Sequence, residues 1–110
     1  MSTIFTKIIN REIPAEIVYE DEHCVAFHDL NPQAPIHLLI VPREEVTGVA
    51  TVGESGGHMH LINAARKIGE QLGVASGYRL VINQGQDAGQ TVLHLHMHFL
   101  AGRSFDWPPG

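Results

Sequence analysis

Val92-Leu93-His94-Leu95-His96-Met97-His98-Phe99-Leu100 decides how this chain is read. Leu93, Leu95, Met97 and Phe99 alternate with His94, His96 and His98, and side chains of an extended strand point alternately to its two faces. The run from Leu95 to Leu100 therefore reads as a strand with one face on a core and three imidazoles in a row on the other. Imidazole is the side chain that titrates closest to neutral pH, so such a row marks catalysis or metal binding. The chain holds 8 histidines in 110 residues, and three of them fall in this one segment.

Metal binding is the weaker of the two chemistries. At a rise of ~3.3 Å per residue the Cα atoms of His94 and His98 stand ~13 Å apart, whereas Zn–N bonds of ~2.1 Å require ligands that converge on one point. Such a site would need Asp, Glu or Cys from elsewhere. Cys24 reads as a small apolar residue of a hairpin, and no metal or other cofactor is expected. Covalent catalysis suits the pattern better, with one imidazole attacking and its neighbours orienting it and moving protons. His96 is the natural nucleophile because both flanking imidazoles reach its surroundings, and a neighbouring imidazolium would stabilise an anionic transition state. The loop that feeds the strand, Asn83 to Thr91, supports this. Gly85 and Gly89 let backbone N–H groups approach an anion, while Asn83, Gln90 and Thr91 add neutral donors, so the loop reads as a phosphate cradle.

Outward from the histidine strand, the remaining elements follow from periodicity. Ile4, Phe5, Ile8 and Ile9 have helical spacing after a Ser2 or Thr3 cap, and the helix must finish before Pro14. Ile17-Val18-Tyr19 and Cys24-Val25-Ala26-Phe27 read as a hairpin. Asn31-Pro32-Gln33-Ala34-Pro35 is a turn, followed by a strand from His37 to Val41. Leu61, Ala65, Ile68 and Leu72 predict an amphipathic helix from about Ser55 to Gly73, and Tyr78 to Ile82 predicts a further strand. Short links between strands make the sheet mainly antiparallel and the class α+β, with residues 1–110 forming a single domain.

Composition narrows the function. Hydrophobic residues are 44% and charged residues 17%, as in a packed globule. A net charge of −5 argues against nucleic acid or an anionic membrane as partner. The apolar run Ile36 to Val41, interrupted by His37, is far too short to span a bilayer, and the N-terminus carries no signal-peptide core. With one cysteine and no possible internal disulfide, a soluble cytoplasmic protein is expected.

The run His94 to Leu100 resembles the His-φ-His-φ-His-φ-φ signature (φ apolar) of the histidine-triad superfamily of nucleotide hydrolases and transferases. Ile4-Phe5, Lys7-Ile8-Ile9, Glu12-Ile13-Pro14-Ala15, Ala26-Phe27-His28-Asp29, Pro32-Gln33-Ala34-Pro35, Gly77-Tyr78-Arg79 and Trp107-Pro108-Pro109-Gly110 extend the resemblance to the Hint branch across nearly the whole chain. It implies a HIT-like fold: a five-stranded sheet with one long and one short helix, joined to a second sheet across a homodimer. It also implies a purine nucleoside phosphoramidase acting on AMP-type substrates. By that resemblance His96 forms a nucleotidyl-histidine, His98 contacts the phosphate and helps protonate the leaving amine, and His94 and His37 support the nucleophile. Asp29 would accept from the ribose hydroxyls. Phe5, Ile8, Phe27 and Leu30 would line the base pocket, and Asn83, Gly89, Gln90 and Thr91 would surround the phosphate. Thr91 stands where the branch usually has serine, which bears on rate and leaving-group preference, and Leu30 replaces the usual isoleucine.

Bland readings stand beside these. Asp29 before Asn31-Pro32 suits an ordinary turn, Phe5, Ile8 and Phe27 suit a core, and His23, His58 and His60 read as surface residues; His28 is left open. A binding module that regulates a partner, or a dinucleoside polyphosphate hydrolase as in the Fhit branch, would use the same pocket. Trp107 beside two prolines needs a partner surface, which independently points to a homodimer.

Overall fold

The computed structural model describes residues 3–110. A first short helix, α1 (Ile4–Ile9), starts at Thr3, whose Oγ1 accepts the Thr6 N–H at 3.2 Å; Ser2, the other expected cap, lies outside the described residues. Three strands follow: β1 (Ile17–Glu20), β2 (Cys24–His28) and β3 (Ile36–Pro42). The β1–β2 turn is closed by Asp21, whose Oδ1 accepts the N–H groups of both His23 and Cys24 at 2.7 Å. A long helix, α2 (Met59–Gln71), separates these from β4 (Arg79–Val81) and β5 (Met97–Ala101).

The five strands form one sheet in the order β1-β2-β3-β5-β4, with every neighbouring pair antiparallel. Its two faces carry two separate cores. On one, Ala26, Leu38, Ile40, Met97 and Phe99 pack against Leu61, Ala64, Ala65 and Ile68 of α2. On the other, Val25, Phe27, Leu39 and Val41 pack against Phe5 and Ile8 of α1. His37 lies diagonally across from His98 on this second face, because Leu39 pairs with His98 and His37 with Leu100.

Three boundaries differ from the sequence expectation. α2 begins at Met59 and not near Ser55, since Gly53, Gly56 and Gly57 make the preceding residues poor helix formers. It ends on Gly73, whose φ of +73° is the left-handed cap position, with Val74 N–H donating back to the Gly69 carbonyl at 2.9 Å. Gly69, inside the helix, faces Tyr78: a Cβ there would stand 2.9 Å from its ring, which in turn stacks on Phe99 at 4.7 Å.

The other two boundaries move together. β5 starts at Met97, two residues later than expected, and β4 is trimmed to Arg79–Val81. Leu95 N–H donates to the Val46 carbonyl, in the segment after β3, at 2.6 Å. That bond turns the chain away from the ladder before Met97, and β4 stops at Val81, opposite His98. Among the described residues no helix is long and apolar enough to cross a membrane.

Candidate active site

The departure of residues 94–96 from the ladder shapes the site. The three imidazoles do not form the straight row expected of one strand; each has its own environment. His94 is 1% exposed, and its Nε2 lies 2.9 Å from the Pro42 carbonyl. A carbonyl only accepts, so Nε2 carries the proton and Nδ1 takes the Thr3 hydroxyl at 3.2 Å. His94 thereby ties the cap of α1 to the end of β3.

His96 is set the other way round. Its Nδ1 lies 2.7 Å from the carbonyl of His94, so Nδ1 is the protonated nitrogen and Nε2 keeps a free lone pair. Phe5 holds the ring from one side, edge-on at 5.1 Å. His96 is therefore a buried imidazole with Nε2 fixed in direction.

A second chain of bonds fixes His98. The Gln33 backbone N–H donates to His37 Nδ1 at 3.0 Å, which leaves the His37 proton on Nε2. That N–H faces His98 Nδ1 at 2.9 Å, so the neutral His98 carries its own proton on Nε2. Asp29 Oδ2 stands 3.5 Å from His37 Nε2 and 4.0 Å from His98 Nδ1. Burial pushes His37 and His98 below the usual imidazole value; the His96 and His37 rings add to this at His98, and the Asp29 carboxylate opposes it at both. The His96 and His98 rings lie 5.3 Å apart, one presenting a lone pair and the other an N–H.

Beside the histidines opens a largely apolar cavity of about 450 Å³, bounded by Phe5, Ile8, Phe27, Leu39 and Val92, with Asp29 and the 98%-exposed Leu30 at its mouth. Of these, Leu39 and Val92 were missed by sequence reasoning; only their facing α1 reveals them. His28 and Glu16 approach each other at the same mouth, 3.6 Å apart. His23 and His60, expected on the surface, stack on each other at 3.6 Å, while His58 is half-buried with its Nδ1 sealed from solvent.

The glycine-rich loop differs in detail from the expected cradle. Gly85 and Gly89 do adopt positive φ, but the N–H groups of Ala88, Gly89 and Gln90 are taken up by the Gly85 and Gln86 carbonyls in a turn of 3-10 helix. Gln90 is 8% exposed and its amide holds the loop itself: Nε2 donates to the carbonyls of Thr47 and Val92, and Oε1 accepts from Gly85 N–H. Thr91 stays exposed and Asn83 half-buried at the two ends of the loop.

Asp29, His37 and His98 each offer a ligand atom, and these atoms lie within 4.8 Å of one another. An imidazole that binds an ion through one nitrogen bears its proton on the other and gives it to an acceptor. His37 Nδ1 faces a donor instead, the Gln33 N–H, so neutral His37 would ligate only by losing that bond. The residues as arranged do not fit a divalent ion.

Comparison with known proteins shows the family and the fold. Residues 10–105 match the model of the HIT domain family, and the chain belongs to that family. It is 52% identical over 110 residues to an uncharacterized HIT-like protein of Synechocystis, covering 98% of this chain and 96% of that one. A 14 kDa zinc-binding protein of Zea mays is 47% identical over 112 residues, covering 98% and 88%. Among solved structures, a HIT family hydrolase from Legionella pneumophila superimposes with a TM-score of 0.94 at 40% identity, covering 99% of this chain and all of that one.

Proposed function

We propose that this protein is a purine nucleoside phosphoramidase that hydrolyses P–N bonds of AMP-type phosphoramidates through a nucleotidyl-histidine on His96. The observation that carries the reading is the opposed protonation of two adjacent rings, a lone pair at His96 Nε2 and an N–H at His98 Nε2. The purine occupies the apolar cavity behind Phe5, Ile8, Phe27 and Leu30, and Asp29 accepts from the ribose hydroxyls. Asn83, Gly89 and Thr91 flank the phosphate, with Gln90 holding their loop in shape. The Thr91 hydroxyl is the side-chain donor there.

Chemically, the His96 Nε2 lone pair attacks phosphorus while Nδ1–H stays on the His94 carbonyl, which steadies the positive charge that develops on the ring. The P–N bond breaks and its electron pair leaves with nitrogen. His98, neutral with its proton on Nε2, gives that proton to the departing amine while its Nδ1 takes one from solvent beside Asp29, whose carboxylate then receives the His37 N–H. Water then attacks phosphorus, gives a proton to His98 Nε2 as the Nδ1 proton returns to solvent, and releases AMP and neutral His96. No resident metal or cofactor enters these steps.

The test uses metal-stripped protein with adenosine 5′-phosphoramidate, beside a dinucleoside polyphosphate. Release of AMP and amine that survives chelator, with slower polyphosphate cleavage, is the expected result. Nucleotide binding without turnover would leave a regulatory binding module, and activity restored only by zinc would overturn the metal-free reading.

A homodimer belongs to the same proposal. Met59 and Ile62 on the outer face of α2 are 60% and 56% exposed, and Val49 and Ile82 line an apolar hollow of about 190 Å³ with Ile62. β4 is an edge strand beside them. A second copy set against this face would hide that surface and extend the sheet, with the exposed Trp107 tail free to reach the partner. Sedimentation is expected to find two chains per particle at micromolar concentration, and Ile62→Glu to yield single chains; a wild-type monomer would contradict it. One buried thiol, Cys24, fits residence in the cytoplasm.

A further inference from the structure

We propose that Arg103 is a positioning residue for this reaction: it clamps the turn that sets which nitrogen of His98 carries the proton. The inference rests on the reading of His98 as proton donor to the leaving group.

The turn between β2 and β3, Asn31 to Pro35, has no regular structure and lies at the surface. Within it, Asn31 N–H donates to Asp29 Oδ1 at 2.8 Å, and the Gln33 side chain donates to the Asn31 carbonyl at 3.0 Å. It reaches the histidines of the relay through the Gln33 N–H on His37 Nδ1. A neutral imidazole has a single N–H, so this bond dictates the rest of the chain. Were Gln33 to swing away, His37 could take its proton on Nδ1, and its bare Nε2 would then draw the His98 proton onto Nδ1. His98 would present a lone pair where a donor is required.

What holds Gln33 comes from the far end of the chain. Arg103 Nε donates to the Gln33 carbonyl at 3.0 Å while Nη1 donates to the Ser104 carbonyl at 2.9 Å. The guanidinium lies over the Phe105 ring at 4.2 Å, and Arg79 from β4 lies over the same ring at 4.9 Å and donates to the Asp106 carbonyl. The ring contact and the two carbonyl bonds give the exposed arginine a defined position. Just before it, Gly102 has φ of +94° and meets Pro35 so closely that a Cβ would stand 2.9 Å from the proline Cβ. Residues 102–105 thus form a clamp on a turn that otherwise holds itself by two local bonds.

Arg103 touches no reacting group, so its effect must be read at a distance. Arg103→Ala, with Arg103→Lys beside it, is to be made in the full chain. Nitrogen-15 shifts of the imidazoles, recorded without substrate, are expected to show His98 protonated on Nε2 in the wild type and a mixture of tautomers in Arg103→Ala. With adenosine 5′-phosphoramidate, kcat should fall by about tenfold, the worth of one charge-assisted hydrogen bond, with KM within twofold. Lysine, which can reach the carbonyl but not make the planar stack, should recover part of both signals. An unchanged tautomer in Arg103→Ala overturns the proposal. A loss of kcat matched by a fall in melting temperature, with His98 unaltered, overturns it as well by marking a purely structural role. Should Arg103→Ala fail to fold, Arg103→Gln carries the same two readouts. Wild-type protein that shows the expected tautomer but no turnover would refute the phosphoramidase reading and leave the tautomer result standing.

Discussion

Replacing His96 with alanine is expected to lower turnover of a nucleoside phosphoramidate by at least about a thousandfold while AMP still binds. The size follows from chemistry: losing a covalent nucleophile removes the whole two-step route. His98→Ala should cost less, about a hundredfold, because water can supply a proton slowly. Binding persists in both because neither ring is part of the cavity wall. Steady-state kinetics and calorimetry on the same preparations separate the two effects. A His96→Ala protein retaining a tenth of its activity would rule out covalent catalysis at this position.

Phe99→Ala is the substitution expected to damage the fold most. Phe99 is fully buried at the centre of the α2 face, stacked on Tyr78, which itself presses against Gly69 of the helix. Truncation leaves a cavity under α2 that neither Leu38 nor Ile68 can fill without leaving its own contacts. The loss should be about 3–5 kcal/mol, out of a total that for a domain of this size is about 5–15 kcal/mol. Urea unfolding measures it as a lower midpoint at unchanged slope. Because Phe99 pairs with Leu38 and Leu80 on strands that also carry His37 and line the edge, dimer formation should weaken with it. A shift under 1 kcal/mol would mean that the α2 face is loosely packed.

Much of this was legible in the residues themselves. The β-rich apolar runs Cys24–Phe27 and His37–Val41 mark strands, and the spacing of Leu61, Ala65 and Ile68 marks the helix, because local composition and burial agree there. Local pattern failed where a distant backbone group won. The alternation of residues 93–99 is unbroken, yet Leu95 bonds Val46 and His94 bonds Pro42, so the ladder starts at Met97. Those partners stand 49 and 52 residues away, beyond any periodic signal. The pairing of His37 with His98 spans 61 residues and was not anticipated; the family resemblance set His37 in support of His96 instead. Gln33 acts through its backbone N–H, which any residue but proline supplies, so its side chain gave no sign of it. Gln90 shows the reverse case: a polar side chain beside a glycine-rich loop looks like a ligand donor, but its partners are the Thr47 and Val92 carbonyls and the Gly85 N–H.

The central claim is a covalent bond between His96 and the nucleotide, and it is tested most directly by catching that bond. Metal-free wild-type protein is mixed with adenosine 5′-phosphoramidate, quenched within milliseconds under alkaline conditions that preserve phosphohistidine, digested and examined by mass spectrometry. The account predicts an adenylyl group on the peptide carrying His96, absent from His96→Ala and longer-lived when His98 is replaced. An adenylyl group on His98 or His94, or turnover with none on any histidine, would contradict it.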